Sequence, residues 1–145
     1  MAAANPRRID THFHSIPTVY RKALLANNAK VRIPDWSPES SLKMMDRCGI
    51  AAAVASLSIP GVHFGDDKQA RALARACNEE SAETNARYPR LGAVAVLPLP
   101  DIDGACEEIV HALDVLKLDG IGLFTNYQGK CLSDPVFEPI LKLLT

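Results

Sequence analysis

The sequence predicts a single α/β domain built on a parallel sheet, and three observations carry that prediction. Two apolar runs, residues 50–57 (Ile-Ala-Ala-Ala-Val-Ala-Ser-Leu) and 91–97 (Leu-Gly-Ala-Val-Ala-Val-Leu), lack the polar alternation of a half-exposed strand. Uninterrupted runs of this kind belong to strands covered on both faces. Between and after them lie segments whose apolar residues recur at spacings of three and four, the period of a helix packed on one side. The resulting order is strand, helix, strand, helix, strand, helix, strand, helix, which indicates βαβ units with right-handed crossovers. No linker or low-complexity stretch divides the 145 residues, so residues 1–145 read as one domain.

The first strand is Arg8-Ile9-Asp10-Thr11-His12-Phe13-His14. Side chains alternate along an extended chain, so Asp10, His12 and His14 are expected on one face and Ile9, Thr11 and Phe13 on the other, with no bend needed in the backbone. Tyr20, Ala23, Leu24 and Leu25 suggest a short helix. Ser37-Pro38-Glu39 has the chemistry of a helix start: a serine N-cap, proline in the first turn and a carboxylate near the positive end. Gly49, after Cys48, suits the left-handed position that closes this helix. Residues 50–57 form the second strand, and Asp67 to Arg87 a helix with Ala70, Leu73, Ala74 and Cys77 along its apolar side. Residues 91–97 form the third strand, ended by Pro98 and Pro100. Asp101 and Asp103 can cap the next helix, whose stripe is Ala105, Ile109, Ala112, Leu113 and Leu116. Residues 121–125 read as a fourth short strand, and Asp134-Pro135 opens a last helix with Phe137, Ile140, Leu141 and Leu144 inward.

Composition excludes several classes of function. With 48% hydrophobic and 23% charged residues the chain reads as globular, and a net charge of -1 gives no electrostatic case for nucleic acid or an anionic membrane. No apolar run reaches the roughly 18 to 20 residues of a membrane span. The first eight residues carry two arginines and no apolar core after them, so a secretory signal is not expected. Cys48, Cys77, Cys106 and Cys131 form no CxxC pair, which argues against zinc-ribbon and thioredoxin-like readings. They are expected to be buried, reduced thiols of a cytoplasmic protein.

The chemistry concentrates at His12 and His14. Neutral imidazoles are ligands for zinc and similar ions, and two on one strand face can converge on a single divalent cation. Their place at the carboxyl end of the first strand is where α/β barrels carry catalytic groups. The plainer alternative is a pair of solvated histidines without metal. Asp10 either orients a ligand from behind or is a polar group satisfied by backbone donors. Ser58, just past the second strand, and Asn126 and Tyr127, past the fourth, are candidates for contact with a substrate at the same rim. Ser58 lacks a Gly-x-Ser-x-Gly elbow, and the glycines form no nucleotide-binding pattern. His63 reads as a solvated loop residue and His111 as a structural or exposed helix residue.

With these residues in view the chain resembles a known family. Ile9-Asp10-Thr11-His12-Phe13-His14 followed by Ile16-Pro17 is similar to the opening of the amidohydrolase-related metal enzymes. The similarity is to the branch containing aminocarboxymuconate-semialdehyde decarboxylase and the 6-methylsalicylate and resorcylate decarboxylases, above all the 6-methylsalicylate type. Gly49-Ile50, Ser56-Leu57-Ser58-Ile59-Pro60-Gly61-Val62, Ala76-Cys77-Asn78-Glu79, Tyr88-Pro89-Arg90-Leu91-Gly92, Leu97-Pro98-Leu99-Pro100-Asp101 and Leu118-Asp119-Gly120-Ile121-Gly122 continue the match.

The resemblance implies a (β/α)8 TIM barrel and one divalent metal, often zinc and in some members manganese. It also implies non-oxidative decarboxylation of a small aromatic or unsaturated carboxylic acid. Only His12 and His14 carry over as ligands; the remaining ligands and the acid/base groups are expected beyond Thr145. A full barrel takes about 250 residues, so four βα units are half of one. A catalytic zinc takes three protein ligands and a water. The chain is therefore expected to be the N-terminal half of the domain, with little or no turnover alone, and its open sheet edges favour a homodimer. Two other expectations stand beside this one: a metal-dependent hydrolase of the same superfamily, and a non-catalytic truncated fragment that persists by pairing with itself or with a complementary half.

Overall fold

The computed structural model describes residues 8–145, so the expectation about a secretory signal rests on residues outside this range. In chain order the elements are β1 (Arg8–His14), α1 (Thr18–Ala26), α2 (Pro38–Cys48), β2 (Ile50–Ser56), α3 (Asp67–Arg87), β3 (Leu91–Ala95), α4 (Ile102–Val110), β4 (Gly120–Ile121), β5 (Asn126–Tyr127), β6 (Lys130–Cys131) and α5 (Glu138–Leu143). The four strands β1 to β4 form one sheet in sequential order, each parallel to the next. A sheet wound in one direction with a helical crossover at every step is a segment of a (β/α) barrel, in agreement with the sequence.

Alternation along the strands divides the sheet into two faces. Ala53, Ala55, Leu91, Ala93 and Ala95 are buried under the helices. Ala93 and Ala95 meet Ala112 and Leu118, while Ala53 and Leu91 meet Met45 of α2. Small side chains here let the helices approach the sheet closely. Around the carboxyl ends of the strands, Tyr20 and Leu24 of α1 pack with Ala74 and Cys77 of α3, and Leu97 and Leu99 pack with Ile109, Phe137 and Ile140.

The helix ends follow local chemistry. Ser37 accepts from the Ser40 amide at 3.1 Å, Pro38 follows, and Gly49 closes α2 at φ +63°. Asp66 caps α3 through the Gln69 amide at 2.7 Å, and Asp101 caps α4 through the Gly104 amide at 3.1 Å. Asp134 does the same at the Val136 amide, at 3.0 Å. Helix α1 follows Pro17 and has no side-chain cap of its own. Its first amides, Thr18 and Val19, instead donate to the Glu80 carboxylate of α3, at 2.5 and 3.0 Å. A carboxylate suits the positive end of a helix from wherever it comes.

A second tertiary clamp fixes the end of β3. Asn78 is 1% exposed, and its side chain donates to the Val96 carbonyl at 2.9 Å and accepts from the Val96 amide at 2.9 Å. It also donates to buried Glu108 of α4 at 2.8 Å, and Glu108 in turn accepts from Arg75 at 2.8 Å. One amide side chain thus ties α3, α4 and the carboxyl end of β3 together.

Four details differ from the sequence expectations. The fourth strand is Gly120–Ile121 and not 121–125. Gly122 still donates to Ala95 at 2.8 Å, but the chain then leaves β3 for a hairpin in which Asn126 and Tyr127 pair with Cys131 and Lys130. Gln128 and Gly129, at φ +51° and +82°, make the left-handed turn that matches such a hairpin's twist. The stripe ending at Leu116 passes from α4 into a π-helical turn, His111–Val115. Leu141 and Leu144, expected to face inward, are exposed, because the last helix turns only its Ile140 side toward the cluster of Leu97, Leu99, Ile109 and Phe137. All four cysteines are free, but only Cys77 is fully buried; Cys48, at the end of α2, and Cys131, in the hairpin, are exposed. Burial pushes the Cys77 thiol up to about 12, which keeps it an inert apolar group. Among the described residues no helix is long and apolar enough to cross a membrane.

Replacing Asn78 with alanine orphans both Val96 backbone groups and one Glu108 oxygen. Such a loss in a buried network costs about 3 kcal/mol, to be read by urea unfolding of the variant against the wild type. A loss below about 0.5 kcal/mol would show that the clamp is dispensable.

Candidate metal centre

The candidate residues sit where β1 reaches the carboxyl rim of the sheet. The pairing there is irregular: Asp10 is opposite Ala53 and Phe13 opposite Ala55, so three steps along β1 match two along β2. One extra residue in β1 is a β-bulge, and bulges re-aim side chains. This corrects the expectation of an unbent strand. The bulge is held from within, since the His12 amide donates to Asp10 Oδ1 at 3.0 Å. Asp10 thus accepts from a backbone donor, one of the two roles open to it.

Beyond the bulge the two imidazoles are neighbours. The rings of His12 and His14 lie edge to face with centroids 5.0 Å apart, both exposed. Nδ1 of His14 is 3.1 Å from Oγ of Ser56, the residue opposite it in the register. Two adjacent neutral imidazoles suit a divalent cation in donor type, and they supply two of the three protein ligands a catalytic zinc takes. Among the described residues no third histidine, cysteine, aspartate or glutamate joins them in a group.

The remaining candidates disperse around the rim. Ser56, Gly122, Phe124 and Tyr127 line one small cavity. Asn126 and Tyr127 line a larger, more open one with His63 and Pro100. Tyr127 stacks on Phe124 at 5.6 Å, and its hydroxyl oxygen accepts from the Phe124 amide at 2.9 Å. Burial raises the Tyr127 phenol above its ordinary range, so it stays a neutral donor. Asn126 is exposed. Ser58 lies two residues past β2, and its carbonyl accepts from the Tyr20 hydroxyl at 3.1 Å.

His63 is not the solvated loop residue expected from the sequence: its Nε2 lies 2.8 Å from Asp67 and its side chain is only 15% exposed. His111 is half-buried in the π-helical turn. Ser56 was missed, although it is the one polar side chain in the run 50–57 and so marked the place where the second strand meets something polar.

A one-way parallel sheet with helical crossovers and its polar groups gathered at the strands' carboxyl ends has the architecture of the α/β-barrel enzymes. The chain belongs to the amidohydrolase family, whose sequence model matches residues 9–145. The decarboxylase yanB of Aspergillus niger is 37% identical over 143 residues, spanning 92% of this chain and 39% of that protein. The 6-methylsalicylic acid decarboxylase acuB of Aspergillus aculeatus is 36% identical over 141 residues, spanning 92% and 43%. Among solved structures, an amidohydrolase II superposes with a TM-score of 0.88 at 32% identity, covering 95% of this chain and 47% of its own. A 5-carboxyvanillate decarboxylase of Novosphingobium aromaticivorans, crystallised with manganese, shares the fold with a TM-score of 0.73 at 23% identity, covering 94% and 46%. The chain thus spans 39% and 43% of the length of these two curated relatives.

If Asp10 acts through the bulge, Asp10→Ala exposes the His12 amide while Asp10→Asn, which keeps an acceptor oxygen, does not. One hydrogen bond of about 1 kcal/mol corresponds to roughly fivefold faster amide exchange at His12 in the alanine variant. Exchange unchanged in both variants would contradict this role.

Proposed function

We propose that this chain supplies the metal-binding portion of a metal-dependent, non-oxidative decarboxylase acting on a small aromatic carboxylic acid. The observation that carries the proposal is the adjacency of His12 and His14 at the carboxyl end of β1, in a chain 36–37% identical to decarboxylases over 92% of its length. His12 and His14 would hold zinc or manganese. When bound, the cation supplies Lewis-acid polarisation of the carboxylate that is lost. The chain's own residues supply position. Phe124 and Tyr127 offer flat apolar faces to an aromatic ring at the rim, and the neutral Tyr127 hydroxyl has a hydrogen left to donate. Asn126 adds an exposed amide beside it, and Ser58 marks the edge of the same rim.

The proposal extends to assembly and location. Edge strand β1 offers unpaired backbone groups to a partner, and a second copy of the chain would cover them as a homo-oligomer. Four free cysteines fit a reducing compartment, which supports the cytoplasm.

Activity is best tested in a chimera in which residues 9–145 replace the matching segment of the Aspergillus aculeatus decarboxylase. With zinc or manganese added, the chimera is expected to release carbon dioxide from 6-methylsalicylate, whereas His12→Ala and His14→Ala chimeras fall by at least about 1000-fold, roughly 4 kcal/mol of barrier. A folded, metal-loaded chimera that releases no carbon dioxide, or that opens lactones instead, would overturn the assignment. The isolated chain is expected to show no robust turnover.

A further inference from the structure

Ser56 ends β2, pairs with His14 in the register, and has its backbone oxygen fixed by the Ser15 amide at 3.1 Å. Its Oγ lies 3.1 Å from Nδ1 of His14 and 3.3 Å from the carbonyl oxygen of Phe13. A serine hydroxyl has one hydrogen to give and lone pairs to accept with, whereas a carbonyl oxygen only accepts. One arrangement satisfies all three groups: the hydroxyl donates to Phe13, and Nδ1–H of His14 donates to the hydroxyl. The reverse arrangement, with Ser56 donating to Nδ1, takes the hydrogen away from the Phe13 carbonyl. It also puts the ring proton on Nε2, where it blocks ligation.

We propose that Ser56 is a positioning residue that keeps the His14 proton on Nδ1 and so presents the Nε2 lone pair to the cation. The inference rests on reading His12 and His14 as metal ligands and adds what orients one of them. The hydroxyl acts from a fixed place, because the bulge delivers His14 opposite Ser56. A histidine ligand is ordinarily steadied through its other nitrogen by a carboxylate, carbonyl or water. Here the partner is a neutral hydroxyl, itself oriented by a main-chain carbonyl.

Two measurements on the same chain test this. Two-bond proton–nitrogen correlation NMR of the metal-free chain at about pH 9, where an ordinary imidazole is neutral, reports the His14 tautomer. The wild type is expected to carry Nδ1–H. Ser56→Ala is expected to shift His14 toward Nε2–H, and Ser56→Thr, which keeps the hydroxyl, to restore Nδ1–H. In zinc titrations Ser56→Ala is expected to bind about 10- to 100-fold more weakly than the wild type, with Ser56→Thr recovering most of the loss. An Nε2–H tautomer in the wild type, or no change of tautomer in Ser56→Ala, would overturn the proposal. The tautomer reports on Ser56 alone, and zinc binding of the wild type against a His12→Ala/His14→Ala variant reports on the metal reading, so the two fail separately.

Discussion

The pairing of β1 with β2 is the constraint on which the candidate centre depends. Within the sheet β1 is bonded to β2 and to no other described strand, so the position of both histidines is inherited from that register. The register contains a bulge, and the bulge changes which residues face which partners. Asp10 closes it through the His12 amide, and Ser56 meets His14 just beyond it. At the opposite end Arg8 donates to the Cys48 carbonyl and Arg90 to the Ile50 and Ala51 carbonyls, tying the starts of β1 and β3 to the junction of α2 and β2. Charge-assisted bonds at the strand starts and the His12–His14 pair at the strand ends give this part of a barrel the usual separation of stability from chemistry.

The helical layer holds the sheet from outside with bonds that cross between units. Glu80 caps α1 from α3, Asn78 joins α3 to α4 and to the end of β3, and Arg71 of α3 holds the α4 cap, Asp101, at 2.5 Å. The Arg71 guanidinium, outweighing the cost of burial, holds the Asp101 carboxyl below its ordinary range. Helix α3 therefore contacts the starts of both neighbouring helices, and the loops after β2 and β3 hang from a common frame. A rim supported in this way can present Phe124 and Tyr127 without relying on loop rigidity alone.

Much of this was legible in the sequence, for identifiable reasons. The caps Ser37, Asp101 and Asp134, the closing Gly49, and the boundaries of α2 and α3 are local events decided within four residues. The apolar runs at 50–57 and 91–97 announced a parallel sheet because strands covered on both faces cannot alternate. The adjacency of His12 and His14 was legible as a spacing, but the bulge between Asp10 and Phe13 was not, since a bulge is a count across two strands. Ser56, Glu80 and Asn78 act on partners 18 to 62 residues away; the polar Ser56 stands out in its apolar run, but nothing local names its partner or marks Glu80 and Asn78. The short β4 reflects the same limit: residues 121–125 have strand-like side chains, but the hairpin at 126–131 takes the chain away from β3.

The central claim is that His12 and His14 together ligate one divalent cation. Zinc K-edge X-ray absorption on the chain loaded with one equivalent of zinc addresses it directly. The account predicts two imidazole nitrogens at about 2.0 Å, recognised by their outer-shell ring scattering, with oxygen completing the shell and no sulfur. A shell containing sulfur from exposed Cys48 or Cys131, or one that is unchanged when both histidines are replaced by alanine, would contradict it.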